Sequence, residues 1–206
     1  SASTSQYLAF LNSDAVVAPD ALRRLADAWA DPTVGIVTAM VLLYDEPDVV
    51  NSGGNPVHYS RLSGSGGWGD AVAVHAAPTE PASASGCLMM MRREVFEELG
   101  GFHEDLFAYG EDVDLSLRTW QAGYRVRYEP TARVWHQYEF SRNPRKYYLL
   151  ERNRWINLLT LYEGRTLLRL AVGLAVVEAG IWTASVTGGW WREKASTMIW
   201  LLRNQR

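Results

Sequence analysis

Uninterrupted apolar runs enclose a helical pattern near the start of the chain. Residues 7–11 (YLAFL) are apolar without a break, which is typical of a strand buried on both faces in a parallel sheet. Leu22, Leu25 and Trp29 then recur at helical spacing, and a second apolar run covers residues 35–43. A strand, a helix and a strand in this order predict an α/β sheet with a right-handed crossover. Ligands of such sheets bind beyond the carboxyl ends of the strands.

The following residues predict one long loop and then further strands and helices. Residues 45–84 are rich in glycine and lack periodicity, and we expect this loop to cover a substrate. The predicted elements are a strand over 85–91, a helix over 93–99, a helix over 112–122, and strands over 124–128 and 132–135. Asn12 and Asp14 follow the first strand and His136 follows the last one, so all three are predicted at strand ends.

Three carboxylates lie within four positions where the helix over 112–122 begins. The apolar positions of this helix follow the i, i+4, i+7 spacing of one face: Val113, Leu117 and Trp120. Asp114 is explained by helix-end electrostatics and by an ion pair with Arg118 four residues on. Glu111 and Asp112 instead follow an aromatic, glycine-containing segment at a loop–helix junction, where catalytic residues are often held. The sequence therefore singles out these two as candidate catalytic residues.

Charge is divided unevenly along the chain. Residues 1–141 hold 9 Lys and Arg against 19 Asp and Glu, whereas residues 142–206 hold 11 against 4. An acidic body is compatible with a metal-dependent site, and a basic tail that contains tryptophan fits an anionic lipid surface. Nucleic acid is disfavoured as a partner, since the basic residues of the tail are interleaved with long apolar runs.

The tail predicts helices with a borderline capacity to span a membrane. Residues 147–162 have a helical, aromatic and basic pattern, and the apolar stretch over 167–191 is interrupted by Glu178 and by Gly188 and Gly189. A spanning helix needs about 20 mostly apolar residues, so we expect helices that lie in the membrane interface. The residues expected near the headgroups are Arg165, Arg169, Arg192 and Lys194. A helical hairpin packed on the body or on a second copy is the alternative.

The single cysteine and two of the histidines do not indicate a second site. Cys87 is the only cysteine, which excludes an intrachain disulfide, and its apolar surroundings predict a buried core residue rather than a nucleophile. His58 and His75 lie in the long loop without metal-ligand spacing to another candidate, which favours exposed histidines over ligands.

Five short motifs occur in order along the chain. They are residues 11–14 (LNSD), 86–96 (GCLMMMRREVF), 100–102 (GGF), 111–115 (EDVDL) and 123–136, which runs from Gly-Tyr through Pro130 to His136. Together they resemble the family 2 inverting glycosyltransferases, and within that family the bacterial rhamnosyltransferase-type enzymes of cell-surface polysaccharide synthesis. The tail is similar too, with ERNR at 151–154 preceding hydrophobic helices.

This resemblance implies a GT-A fold, a mixed and Rossmann-like α/β sheet flanked by helices. In that fold a nucleotide-diphosphate sugar binds over the strand ends with a divalent cation, Mn²⁺ or Mg²⁺, on its diphosphate. The implied donor-binding residues are Asn12, Asp14, Gly86 and His136. Asp14 and His136 would also contact the metal. Asp112 would be the general base that deprotonates the acceptor hydroxyl in a single inverting displacement, and Glu111 would support it.

Members of this family begin with a strand–loop–helix unit that holds the nucleotide base, and this chain has no such unit before residue 7. We therefore expect residues 1–141 to be a partial GT-A catalytic domain that lacks its first nucleotide-binding unit, and residues 142–206 to be a helical, membrane-associating region. We also expect the isolated chain to be inactive. The implied protein is cytoplasmic and peripheral to the inner face of the cell membrane. Its implied partners are a nucleotide-sugar donor such as dTDP-rhamnose and a glycan or polyprenyl-linked acceptor.

Three other interpretations compete with this one. They are the same fold with a different nucleotide sugar, a non-catalytic membrane-binding or interaction module, and a metal-dependent phosphohydrolase, which would need more ligands than the sequence offers. The oligomeric state is left open. The discriminating observation is whether Asp14, Asp112 and His136 converge, with Asp14 and His136 close enough for ligand bonds of ~2.0–2.6 Å to one cation.

Overall fold

The computed structural model describes residues 4–137, 139 and 145–204, and the chain divides into two compact units. The first unit consists of Ser1–Val57, Ser63–Glu104 and Glu111–Glu139, and the second of His58–Leu62, Asp105–Gly110 and Phe140–Arg206. The boundary predicted at residue 141 lies outside the described residues, so that division stays a prediction.

A mixed six-stranded sheet forms the centre of the first unit, as the sequence predicts. The strands are β1 (Tyr7–Leu11), β2 (Ala15–Val17), β3 (Val34–Leu43), β4 (Val50–Ser52), β5 (Leu88–Arg92) and β6 (Arg125–His136). Their order is β1-β5-β3-β6-β2, and β4 pairs with β3 off this path. Only the β3–β6 pair is parallel, while the other neighbours are antiparallel.

Burial differs sharply between the two apolar runs at the start of the chain. All but the last residue of β3 are buried, as expected for a central strand. In β1 every residue is half-buried or exposed, and Leu11 is 50 % exposed. The prediction of a strand buried on both faces in a parallel arrangement is therefore wrong for Tyr7–Leu11, because this strand pairs antiparallel with β5. An apolar run does not specify which strands will lie beside it.

Three helices pack around this sheet, at or near their predicted positions. They are α1 (Ala21–Asp27, extended by a 3₁₀ turn over Ala28–Ala30), α2 (Arg93–Glu98) and α3 (Glu111–Gln121). Leu25 and Trp29 are buried as predicted, whereas Leu22 is 48 % exposed. In α3 the buried face is centred on Leu115 and Ser116, so Leu117 is only half-buried. The predicted stripe of α3 is thus displaced around the helix.

The structure joins the two strands predicted between 124 and 135 into the single strand β6. Its register against β3 shifts between Glu129, opposite Ala39, and Arg133, opposite Met40. Pro130 lies in this shift, where a residue without a backbone N–H is tolerated at a bulge. The loop predicted over 45–84 is largely irregular, apart from β4 and a short 3₁₀ turn over Val72–His75.

The predicted ion pair between Asp114 and Arg118 is confirmed, but it is buried. Asp114 is 1 % exposed, and its Oδ2 accepts bonds from Arg118 Nε at 2.8 Å and Nη2 at 2.5 Å. The same guanidinium donates to the carbonyl oxygens of Leu99 and Gly101. Asp114 therefore holds an arginine that ties α3 to the segment after α2, which is a structural role.

Three helices dominate the second unit: α4 (Lys146–Leu161), α5 (Gly164–Thr187) and α6 (Trp191–Arg203). The helix α5 continues past Glu178 to Thr187 and ends at the glycine pair. In the described part of the chain, α5 is the one helix that is long and apolar enough to cross a membrane by length and composition. Only 6 % of its most apolar stretch is buried within the structure. A single helix of this kind is weak evidence for a membrane span.

A buried charge cluster joins these three helices. Glu151 accepts a hydrogen bond from Arg154 Nε at 2.9 Å and one from Lys194 Nζ at 2.5 Å, and both cations also pair with Glu178. Lys194 has no exposed surface. The expectation that Lys194 lies near lipid headgroups is therefore wrong, because its ammonium is sequestered between two carboxylates.

Candidate active site

Strand pairing brings Asp14 and His136 together at the end of the sheet. Ala15, the first residue of β2, lies opposite His136, the last residue of β6, so Asp14 precedes the paired position directly. The backbone N–H of Gln137 donates to the Asp14 carbonyl at 2.9 Å, which fixes this corner. Asp14 Oδ1 and His136 Nε2 are 3.3 Å apart. Residues separated by more than 120 positions in the sequence thus form one polar pair.

The Asp14–His136 pair has the chemistry of a partial cation site. Burial lowers the pKa of His136, while the neighbouring Asp14 acts in the opposite direction, and a neutral imidazole is the form that ligates metals. Two ligand atoms bonded to one cation at about 2.0–2.2 Å can lie ~3 Å apart, so the observed separation fits a shared ion. The described residues contain no group of three or more His, Cys, Asp or Glu that could hold a metal. The protein would therefore leave most coordination positions to other ligands.

Asp112 is held rigidly at the start of α3. Its Oδ2 accepts a hydrogen bond from the backbone N–H of Gly86 at 2.8 Å, and its Oδ1 accepts one from Val113 at 2.8 Å. A Cβ at position 86 would lie 3.3 Å from Asp112 Oδ2, so a side chain there would crowd the carboxylate. Burial raises the pKa of Asp112 and the two N–H bonds oppose that rise. The turn before β5 thus determines where this carboxylate lies.

Burial and a neighbouring charge also perturb the carboxyl group of Glu111. Burial, followed by the negative charge of Asp112, raises the pKa of Glu111 to about 7. Its Oε2 atom is buried and has no hydrogen-bond partner in the described structure. A carboxyl group in this state is ready to exchange a proton near neutral pH.

A cavity of about 390 Å³ brings several of the candidate residues together. It is lined by Ala9, Phe10, Leu11, Asn12, Gly86, Met89, Phe102, Glu111 and Asp112. Four of the six candidate site residues predicted from the sequence therefore line one cavity, at the end of β1 and the start of α3: Asn12, Gly86, Glu111 and Asp112. Asp14 and His136 are outside this lining, and Asp14 follows Asn12 by two positions along the chain.

A pair of asparagines in the second unit has contacts that the sequence analysis did not predict. Asn153 Nδ2 donates to the carbonyl oxygens of Ala108 and Tyr109 at 2.7 and 2.6 Å, and Asn157 Nδ2 donates to Gly110 at 3.1 Å. Tyr109 has a φ of +68°, which is rare for a residue with a side chain. These contacts fix the loop immediately before Glu111. The available signal was two polar residues four positions apart in a largely apolar helix.

Cys87 is buried and His58 is exposed, as the sequence predicts, whereas His75 is half-buried. Cys87 is 3 % exposed, and burial, assisted by the charge of Asp14, raises the pKa of its thiol to about 12. His58 Nδ1 is 2.8 Å from the hydroxyl of Ser60, and His75 Nε2 is 2.8 Å from Asp70. None of these three residues has the features of a nucleophile or of a metal ligand.

Comparison with known proteins identifies the family. The model of glycosyl transferase family group 2 matches residues 7–205, which is nearly the whole chain. The chain belongs to this family. A "Pre-mycofactocin glycosyltransferase" of Mycobacterium tuberculosis is 33 % identical over 138 residues, which cover 66 % of this chain and 28 % of the relative. The N-acetylglucosaminyl-diphospho-decaprenol L-rhamnosyltransferase of the same organism is 46 % identical over 52 residues, or 25 % of this chain and 17 % of the relative.

A solved structure supports the GT-A-like fold of this family 2 chain. GalNAc-T7, crystallised with UDP, GalNAc and Mn²⁺, superposes with a TM-score of 0.55 at 20 % identity, over 72 % of this chain and 31 % of that one. At this identity the likeness concerns the fold alone. The matched part of this chain spans less than a third of each curated relative described above.

Proposed function

We propose that this chain supplies the catalytic base and metal ligands for transfer of a sugar, with inversion, from a nucleotide-diphosphate sugar to a lipid-linked or polysaccharide acceptor. The observation that carries this proposal is the cavity shared by Asn12, Gly86, Glu111 and Asp112. It combines a fixed carboxylate with a neighbouring carboxyl whose pKa is about 7, and it lies beside the segment that leads to Asp14. Such a site can accept a proton next to a bound phosphorylated donor.

In the proposed reaction, Asp112 accepts the proton of the acceptor hydroxyl. The acceptor oxygen forms a bond to the anomeric carbon, the bond from that carbon to the diphosphate oxygen breaks, and the electron pair leaves with the nucleoside diphosphate. The N–H bonds from Gly86 and Val113 hold the Asp112 carboxylate in place for this transfer. Glu111, the adjacent carboxyl group in the same cavity, is proposed to support this transfer.

Asp14 and His136 are the proposed protein ligands of a divalent cation on the donor diphosphate. When bound, such a cation neutralises the charge that develops on the leaving group. An imidazole and a carboxylate together favour Mn²⁺ over Mg²⁺. Asn12 and Gly86 are the proposed further contacts to the donor.

The donor sugar and the cellular location are finer parts of the same proposal. Similarity to the L-rhamnosyltransferase of M. tuberculosis, restricted to 52 residues, makes dTDP-rhamnose the first donor to test. The exposed apolar surface of α5 and the basic charge of residues 142–206 favour a place at the cytoplasmic face of the cell membrane. The alternative of a non-catalytic membrane-binding module does not account for the cavity shared by Asn12, Gly86, Glu111 and Asp112.

A donor panel tests this proposal. The full-length gene product is incubated with dTDP-rhamnose, UDP-sugars and GDP-mannose, with Mn²⁺ or Mg²⁺, and product formation and anomeric configuration are followed by NMR. We expect one donor class to react with inversion and the Asp14→Asn variant to bind Mn²⁺ more weakly by calorimetry. Absence of transfer and of hydrolysis from every donor, with a folded protein, would contradict the proposal.

A further inference from the structure

A basic cavity lies in the second unit, where no role has been assigned. It measures about 580 Å³ and is lined by residues from the start of α4 and from one face of α6. The lining residues are Arg145, Tyr148, Arg192, Glu193, Ser196, Ile199, Trp200 and Arg203. Three arginines against one glutamate make this cavity a region of positive potential.

Helix periodicity explains how α6 supplies one side of this cavity. Arg192, Ser196 and Trp200 recur at intervals of four, so they lie on one face of the helix. Lys194 and Thr197 lie on another face and are fully buried, where Thr197 Oγ1 donates to the carbonyl of Tyr148 at 3.3 Å. The buried face therefore fixes α6 against α4 and leaves the arginine-bearing face to line the cavity.

Two arginines of the cavity, Arg192 and Arg203, are available for an anionic ligand. Within the described part of the chain, neither Arg192 nor Arg203 has a carboxylate within ion-pair distance, and both are exposed. Arg145 lies 5.1 Å from the ring of Tyr148, which also lines the cavity. Planar guanidinium groups that line one cavity are suited to phosphoryl oxygens.

We propose that this cavity binds the phosphoryl headgroup of an anionic lipid. The lipid source is favoured because apolar side chains accompany the arginines: Ile199 lines the cavity at 49 % exposure, and Leu202 next to Arg203 is 71 % exposed. The helix α5, whose apolar surface is largely exposed, belongs to the same unit. A soluble phosphate would leave these apolar surfaces in water, whereas a lipid surface covers them. This inference rests on the membrane-peripheral part of the proposed function.

Vesicle flotation with the full chain tests the proposal. The native protein is compared on neutral phosphatidylcholine vesicles and on vesicles that carry phosphatidic acid or phosphatidylglycerol at equal surface charge. We expect binding to the anionic vesicles, and tighter binding to phosphatidic acid because its phosphomonoester exposes more oxygens to the arginines. The double variant Arg192→Gln/Arg203→Gln should bind these vesicles roughly 30-fold more weakly and lose the preference for phosphatidic acid.

The matched control is Arg23→Gln/Arg133→Gln, which removes the same charge from exposed positions of the first unit. It should keep the preference for phosphatidic acid. Loss of that preference in both double variants would overturn the cavity assignment, and so would its absence in the native protein. Calorimetry with inorganic pyrophosphate separates the sources: pyrophosphate binding without vesicle binding would overturn the lipid assignment. Because sugar transfer is not measured, either proposal can fail while the other stands.

Discussion

Replacing Glu111 with glutamine tests the electrostatics of the catalytic cavity. In the fold the pKa of Glu111 is about 7, against an ordinary value of 4.5, because burial and the charge of Asp112 disfavour ionisation. This difference corresponds to ~3 kcal/mol at about 1.36 kcal/mol for each pKa unit. A raised carboxyl pKa means that the folded state holds its proton more tightly than the unfolded state. Its stability contribution is therefore present below about pH 4.5 and is lost as the pH rises to about 7.

Glu111→Gln should thus become more stable, relative to the native chain, as the pH rises. We expect the difference in free energy of unfolding to change by ~3 kcal/mol in favour of the variant between about pH 4 and pH 8. The assay is urea denaturation followed by circular dichroism across this range. Glu104→Gln, at an exposed position of the same unit, is the matched control because it removes an equal charge outside the cavity. A Glu111→Gln profile parallel to that of the control would refute the burial argument.

Three further outcomes follow from buried contacts. Asn153→Ala should speed chymotryptic cleavage in the loop before α3, because the carbonyl groups of Ala108 and Tyr109 each lose a hydrogen bond at a cost of about 1–3 kcal/mol. Cleavage as slow as in the exposed-site control Asn204→Ala would contradict this. Lys194→Met should lower the free energy of unfolding by about 3 kcal/mol, against less than ~0.5 kcal/mol for the exposed Arg192→Met, as measured by urea denaturation. The Cys87 thiol, with a pKa raised to about 12, should react with Ellman's reagent only as fast as the chain unfolds.

The sequence predicted most elements because their signals are local. Apolar runs identify β3 and β5, and the glycine pair at 100–101 marks the end of α2, since each signal depends on a few adjacent residues. Strand partners are not local. Nothing within Tyr7–Leu11 shows that an antiparallel strand from 80 residues later will lie beside it. The order of the sheet therefore required the structure.

The sequence predicted the candidate site only in part, because here too the local signals were readable and the contacts between distant segments were not. Asp14 and His136 could be named individually because each ends a strand, but their separation of 3.3 Å depends on the β2–β6 register. Asp114 was expected to pair with Arg118 on the helix, but its burial depends on the segment after α2 and is not visible in the spacing. The support of the loop by Asn153 was not expected, because a buried asparagine can be recognised only from the carbonyl groups that surround it.

The role of Asp112 as the base is tested by the single-turnover rate of sugar transfer by Asp112→Asn in the full-length gene product, with the donor identified by the panel. We expect a rate about 10²–10⁴-fold below that of the native protein, with donor affinity retained. Asparagine keeps the acceptors for the Gly86 and Val113 N–H groups only in part and cannot take a proton. Glu111→Gln should lose less than Asp112→Asn. An unchanged rate in Asp112→Asn, or a larger loss in Glu111→Gln, would contradict the assignment of Asp112 as the base.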